Sequence, residues 1–294
     1  MPRPFHIVDV FAERPYSGNQ LAIVLDAVGL PEEVMQSIAA ETNYSETAFV
    51  TSTPERDGAF RIRLFTPARE IAFAGHPLLG SGWVVQHHLL PNPSGHLRLR
   101  TAAGDINVSF ESTADGREVA WFRALPVSLG QVCAPAAIAA ALGVSPEDIA
   151  SEAPVQQLSA GTSAMIVPLR SQRALRESRL DLEAFAPLAA RGFPPLLYLY
   201  CHETRDALND LCARFFFEAH GVREDPATGN GAAFLGAYLL EHRVFPETML
   251  DLRIEQGFEI RRPSLVLLRA RMVDNSPEVS VGGRIIPIVR GELL

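Results

Sequence analysis

Apolar and polar positions alternate with a period of two over residues 60–65 (FRIRLF), 97–104 (LRLRTAAG) and 250–257 (LDLRIEQG). That is the pattern of half-buried antiparallel strands, and the last two run into a glycine turn. The polar face of the first carries Arg61 and Arg63. Residues 5–10, 21–25 and 49–50 read as further strands. The stretch 12–19 (AERPYSGN) holds the Pro, Ser, Gly and Asn of a turn, so the chain opens like a hairpin. Behind Pro31, the residues Val34, Met35, Ile38 and Ala39 fall at helical spacing. Glu32 and Glu33 suit the dipole of that helix, which should end near Asn43. Residues 78–90 are almost uncharged and apolar, with Pro77 at the first helical position, which predicts a helix enclosed by protein.

The plan recurs in the second half. Asp225-Pro226-Ala227-Thr228-Gly229 leads into an equally apolar helix, about 231–242, as Gly75-His76-Pro77 leads into the first. Both helices share a G-x6-G spacing, Gly75 to Gly82 and Gly229 to Gly236, and each is followed by one of the alternating strands. This points to a degenerate internal duplication. The architecture it implies is α+β, with two pseudo-symmetric domains, each a twisted, mostly antiparallel sheet wrapped around a central apolar helix. The polar stretch 111–118 (ESTADGRE) marks the expected boundary. It separates an N-terminal domain, 1–117, to which strands at about 279–294 return, from a C-terminal domain, 118–278.

Length and composition fit this picture: 294 residues at about 150 per domain, 47% hydrophobic and 20% charged. The 26 Lys and Arg against 34 Asp and Glu leave a charge of -8 with no basic run, so nucleic acid is not an expected partner. The opening MPRPFHIVDVF is too brief and too polar for a signal peptide or a membrane span. Cys133, Cys201 and Cys212 lack C-x-x-C spacing and read as reduced thiols of a cytoplasmic protein. There is no H-E-x-x-H, no zinc spacing of Cys and His, no nucleotide fingerprint and no nucleophile elbow. His87 and His88 point in different directions on one helix. No dedicated metal is expected.

Chemistry should concentrate at the two helix starts. A helix N-terminus presents unpaired N–H groups and the positive end of a dipole, suited to a carboxylate or a developing oxyanion. A cleft between the domains would let both starts act on one ligand. Gly75 permits close backbone approach, His76 titrates near neutral pH, and Asp225 with Thr228, Gly229 and Asn230 forms a turn rich in N-cap residues. Glu46, between Ser45 and Thr47 where an apolar strand begins, would be partly desolvated and suited to proton transfer. Each also has an ordinary reading: His76 as a capping or core histidine, Asp225 as an N-cap or Asx turn, Glu46 as a solvated turn residue. Arg61, Arg63 and Arg69 could reach a substrate carboxylate, although strand arginines usually face water.

The blocks DVFAERPYSGNQLAIVLDA (9–27), ETNYSETAFV (41–50), RLFTPAREIAFAGHPLLGS (63–81), EDPATGNGAAFLGAYL (224–239) and EQGFEIRRPS (255–264) resemble the phenazine-biosynthesis isomerase family, the PhzF-like proteins. They occur in the family's order over nearly the whole chain, and the combination of SETAFV, FAGHP and EDPATG is specific. The resemblance implies the diaminopimelate-epimerase-like fold, with the active site in the cleft between two central helices. It also implies a cofactor-free isomerase, commonly a homodimer, acting on a small carboxylate-bearing molecule. The family's founding substrate is trans-2,3-dihydro-3-hydroxyanthranilate, isomerised by a proton shift.

Carried onto this chain, the resemblance makes Glu46 the group that takes a proton from the activated C–H and returns it elsewhere. His76 and Asp225 become its catalytic partners, orienting substrate and relaying protons. Ser45, Gly75, Gly229 and Asn230 become substrate-binding residues, with backbone N–H groups at the second helix start holding a carboxylate. Asn230 departs from the serine common at that position, and its bulk would reshape the pocket. Two other readings stay open. One is an amino-acid epimerase or racemase on the same scaffold, which would lack a cysteine at either helix start; the other is a non-catalytic small-molecule binding protein.

Overall fold

The computed structural model describes residues 2–217 and 224–294. Two compact units divide the chain: Met1–Arg123 together with Gly282–Leu294, and Ala124–Val281. The first contains β1 (Arg3–Val10), β2 (Asn19–Val24), α1 (Glu32–Thr42), β3 (Glu46–Val50), β4 (Phe60–Phe65), β5 (Glu70–Ile71), α2 (Gly75–His88), β6 (His96–Thr101), β7 (Gly104–Ser112) and β8 (Glu118–Arg123). There follow β9 (Ser128–Val132), α3 (Pro135–Leu142), β10 (Gln156–Ala160), β11 (Thr162–Pro168), α4 (Gln172–Glu177), α5 (Leu182–Ala189), β12 (Leu197–Cys201) and β13 (Leu211–Phe216). The remaining elements are β14 (Glu224–Asp225), α6 (Gly229–Glu241), β15 (Met249–Gln256), β16 (Ser264–Val273), β17 (Ser276–Gly283) and β18 (Ile285–Leu293). Strands and helices are interspersed in an α+β arrangement.

In the first unit the strand order is β18-β1-β2-β3-β4-β6-β7-β8, antiparallel except for β2–β3 and β4–β6. The sheet curls around α2, which touches β1, β2, β3, β6, β7, β8 and β18. A helix so enclosed has no polar face to spare, which is why its sequence is apolar all round. Two glycines bring it close: a Cβ on Gly80 would lie 2.6 Å from Leu21, and one on Gly82 would lie 3.1 Å from Val108. The helix begins at Gly75, so Pro77 occupies its third position rather than its first. That is tolerated because first-turn N–H groups have no intrahelical acceptor. α1 ends as expected at Asn43, which adopts the left-handed conformation (φ 53°) that asparagine accepts. The polar stretch 111–118 holds the end of β7, the turn and the start of β8 in an antiparallel hairpin, and both strands lie in this unit.

In the second unit the order is β9-β10-β11-β12-β13-β15-β16, antiparallel except for β11–β12 and β13–β15. The period of two in β12 (LYLYC) sorts its side chains. Leu197, Leu199 and Cys201 enter a core with Ile138, Leu142, Leu175 and Phe185 from α3, α4 and α5. Tyr198 and Tyr200 face the other way, onto α6: a Cβ on Gly231 would lie 2.3 Å from the Tyr198 ring, and Tyr200 meets Tyr238 edge-on at 6.1 Å. On the same helix, a Cβ on Gly236 would lie 2.9 Å from Leu268 and from Val279. The three cysteines are buried and free.

Candidate active site

Glu46 is the first residue of β3 and stands opposite Leu21 in the parallel β2–β3 ladder. It is only 7% exposed, so it is not a solvated turn residue. His76, the second residue of α2, is 4% exposed, and its Nε2 lies 3.5 Å from Glu46 Oε2. The imidazole Nδ1 lies 3.3 Å from the side-chain amide nitrogen of Asn19, at the start of β2. Burial pushes the His76 pKa down to about 3, against the opposing effect of a hydrogen bond with the Gln20 backbone, so the ring is neutral at neutral pH. A neutral imidazole has one N–H and one bare nitrogen. Its Nε2 can therefore donate to an ionised Glu46, or, in the other tautomer, accept from a protonated one.

The loop that delivers Asn19 is tightly defined. Asp9 Oδ2 accepts the Tyr16 N–H at 2.7 Å. Gly18 has φ +69°, and a Cβ there would lie 2.3 Å from the Val10 carbonyl, so only glycine makes this turn.

In the second unit, Asp225 is 7% exposed and stands opposite Phe215 in the β13–β14 pair. Its neighbour Glu224 forms a buried fork with Arg214, at 3.0 and 2.7 Å. The same guanidinium donates to the Leu175 and Ser178 carbonyls, so the ion pair is satisfied and ties β14 to the end of α4. Thr228 takes the N-cap position of α6, but its hydroxyl does not cap the helix. It donates to Asp225 Oδ2 at 2.5 Å, a charge-assisted bond stronger than a neutral cap. The turn is clamped by Gln256, which is fully buried. Gln256 Nε2 donates to the Asp225 carbonyl (2.9 Å) and to Thr228 Oγ1 (3.1 Å), while Oε1 accepts from the Thr228 N–H (3.2 Å). Neither N-cap residue, Ala74 for α2 nor Thr228 for α6, closes its helix start with a side-chain hydrogen bond.

The PhzC-PhzF family model, described as phenazine biosynthesis-like protein, matches residues 8–291. The chain belongs to the PhzF family. An uncharacterised isomerase of Pasteurella multocida (strain Pm70) is 35% identical over 300 residues, covering 99% of this chain and 94% of its own. The trans-2,3-dihydro-3-hydroxyanthranilate isomerase of Pseudomonas aeruginosa is 36% identical over 265 residues, covering 90% of this chain and 89% of its own. The crystal structure of a Bacillus anthracis phenazine biosynthesis protein of the PhzF family superposes with a TM-score of 0.90 at 26% identity, covering 100% of this chain and 99% of that one. Membership places the chain among isomerases.

Within this PhzF-family chain, Glu46 and His76 are brought together, with half-buried Ser45 before them and buried Gly75 at the helix start. Buried Gly229 and half-buried Asn230 open α6. The strand arginines face surface carboxylates: Arg61 pairs with Glu55 (3.0 Å), and Arg63 with Glu70 and Glu32 (2.7 Å each). Arg69 is exposed. His87 pairs with Glu118 at 2.9 Å, whereas His88 stacks on His6, so the adjacent histidines do diverge. Asn19, Gln256 and Arg214 were not singled out from the sequence. Asn19 and Gln256 lie within the family blocks, but their partners are 57 and about 30 residues away, and no local spacing reports them. Among the described residues, no group of three or more His, Cys, Asp or Glu side chains could hold a metal ion, and no helix is long and apolar enough to cross a membrane.

Proposed function

We propose that this PhzF-family isomerase moves a proton on a small carboxylate-bearing substrate, with Glu46 as the shuttling acid-base and trans-2,3-dihydro-3-hydroxyanthranilate as the lead candidate. The observation that carries the reading is the buried Glu46–His76 pair. A carboxylate beside a neutral imidazole can be held in either protonation state, which is what a single group must do when it accepts a proton at one carbon and returns it at another. His76 keeps Glu46 oriented and supports both of its states. Asp225, fixed by Thr228 and Gln256, orients substrate. Ser45 and Gly75 help bind it, while the N–H groups at Gly229 and Asn230 offer a carboxylate site at the start of α6. The wider reading is of a cofactor-independent enzyme working in the cytoplasm as a homodimer.

The P. aeruginosa relative, 36% identical, bears the name of an isomerase of this compound, which makes it the first substrate to try. The test is proton NMR of the compound with the purified protein in D2O. The wild type should convert it with deuterium incorporation, and Glu46→Gln, whose amide cannot exchange the proton, should not. Full activity in Glu46→Gln would remove Glu46 from the role. No conversion by either protein would turn the search to other small carboxylates.

A further inference from the structure

The second unit carries an open cleft of about 1010 Å³ lined by Arg173, Arg176, Glu177, Arg179, Arg205, Phe258 and Glu259. Four guanidiniums face two carboxylates there, an excess of positive charge on a chain whose net charge is -8. Two of the four are engaged. Arg173 pairs with Asp148 (2.7 Å) and Glu177 (2.5 Å), and Arg205 pairs with Glu259 while stacking on the Phe258 ring at 4.4 Å. The other two differ. Arg179 donates one Nη1 to the Arg176 and Ser178 carbonyls at 2.7 Å each, which fixes the guanidinium, and it has no ion pair among the described residues. Arg176 is exposed and has no ion pair among the described residues.

We propose that this cleft binds a phosphate-bearing small molecule, with Arg176 and Arg179 as the phosphate ligands. A guanidinium is a planar fork of donors, and a carboxylate fills one such fork with its two oxygens. A phosphate monoester has three terminal oxygens and close to two charges, so it can serve two forks at once. The cleft is at the upper end of small-molecule pockets, about 300–1,000 Å³, and leaves room for the rest of the ligand beside half-buried Phe258. The proposal does not depend on the isomerase reading, because none of these residues belongs to the helix starts or to β3.

Inorganic phosphate is the probe. It is titrated into the full chain at constant ionic strength, set with sodium chloride, and followed by 1H–15N NMR and calorimetry. Saturable binding is expected, with arginine side-chain and nearby backbone signals moving together. Arg176→Gln/Arg179→Gln should weaken it at least tenfold, each single variant less, and Arg269→Gln, an exposed arginine of β16, should leave it unchanged. Thermal melts should show the variants folded, because all three positions are exposed. Absence of saturable binding, or binding in the double variant equal to wild type, would overturn the proposal.

Discussion

Gln256 shows how much of a site can rest on a residue that performs no chemistry. Its amide is matched on both ends, to the Asp225 carbonyl, the Thr228 hydroxyl and the Thr228 N–H, and Oε1 also lies 3.4 Å from the Tyr198 hydroxyl. Replacing it by leucine keeps the bulk and removes these bonds from the Asp225 carbonyl and the Thr228 N–H, while the Thr228 hydroxyl keeps only its bond to Asp225 Oδ2. Each such loss costs roughly 1–3 kcal/mol. We therefore expect Gln256→Leu to lose at least about 2 kcal/mol in a urea titration. A loss within about 0.5 kcal/mol, the range of a surface substitution, would mean that the turn is held by the helix start alone. Gly257, the next residue, is equally constrained: φ is +78°, and a Cβ would lie 2.3 Å from the Arg262 carbonyl and 2.5 Å from that of Pro226. The glutamine is fixed in place by the backbone that follows it.

At the level of elements, the close approach of α6 to β12 can be tested with Gly231→Ala. Alanine is the better helix former by about 1 kcal/mol. Its Cβ, however, would lie 2.3 and 2.5 Å from ring atoms of Tyr198, which is fully buried and has no room to withdraw. Overpacking of this kind costs about 1–3 kcal/mol, so we expect a net loss, read as a lowered midpoint in thermal melts. A raised midpoint would show that the ring can move.

The same elements show what a sequence discloses. A period of two located β4, β6 and β15, helical spacing located α1, and uncharged apolar runs located α2 and α6, because a strand or helix with one wet face and a helix with none leave different patterns. The role of residues 111–118 was not legible from composition. Thr, Asp and Gly serve a linker and a hairpin turn equally, and only the pairing of Glu111 with Val119 and Ser112 with Glu118 distinguishes them. For the site, the motif blocks pointed to Glu46 and His76. The clamp on Asp225 is made by a strand of a different part of the chain, and a hydrogen bond across 31 residues leaves no periodic trace.

For the molecule as a whole, histidine burial sets the response to acid. His76 is held down at about 3 by burial, and His6 at about 4 by burial together with the charges of His88 and Arg290. His6 stacks on His88 with ring centroids 4.5 Å apart and stands opposite Arg290 in the β1–β18 ladder, so protonating it would place a cation between two others. His88 and His242 are also lowered, mainly by burial. In the unfolded chain these rings titrate near 6.5. Below that pH the unfolded state binds more protons than the folded one, so stability rises with pH in this window. The contribution is fully present above about 6.5, is lost progressively as the pH falls, and stops changing only below about 3 to 4. The carboxylates whose pKa values are lowered, Asp57, Asp105, Asp115 and Glu147, are exposed and add to the loss only at the acid end of that range. Urea midpoints measured at pH 7.5, 6.0 and 5.0 should therefore fall in that order. His6→Phe, which keeps a ring against His88 and removes the proton site, should flatten the slope in proportion to the share that His6 carries. A wild-type midpoint unchanged between pH 7.5 and 5.0 would show that the buried histidines take up protons in the fold as readily as in the unfolded chain, and would overturn the lowering of His76 by burial that keeps it neutral beside Glu46.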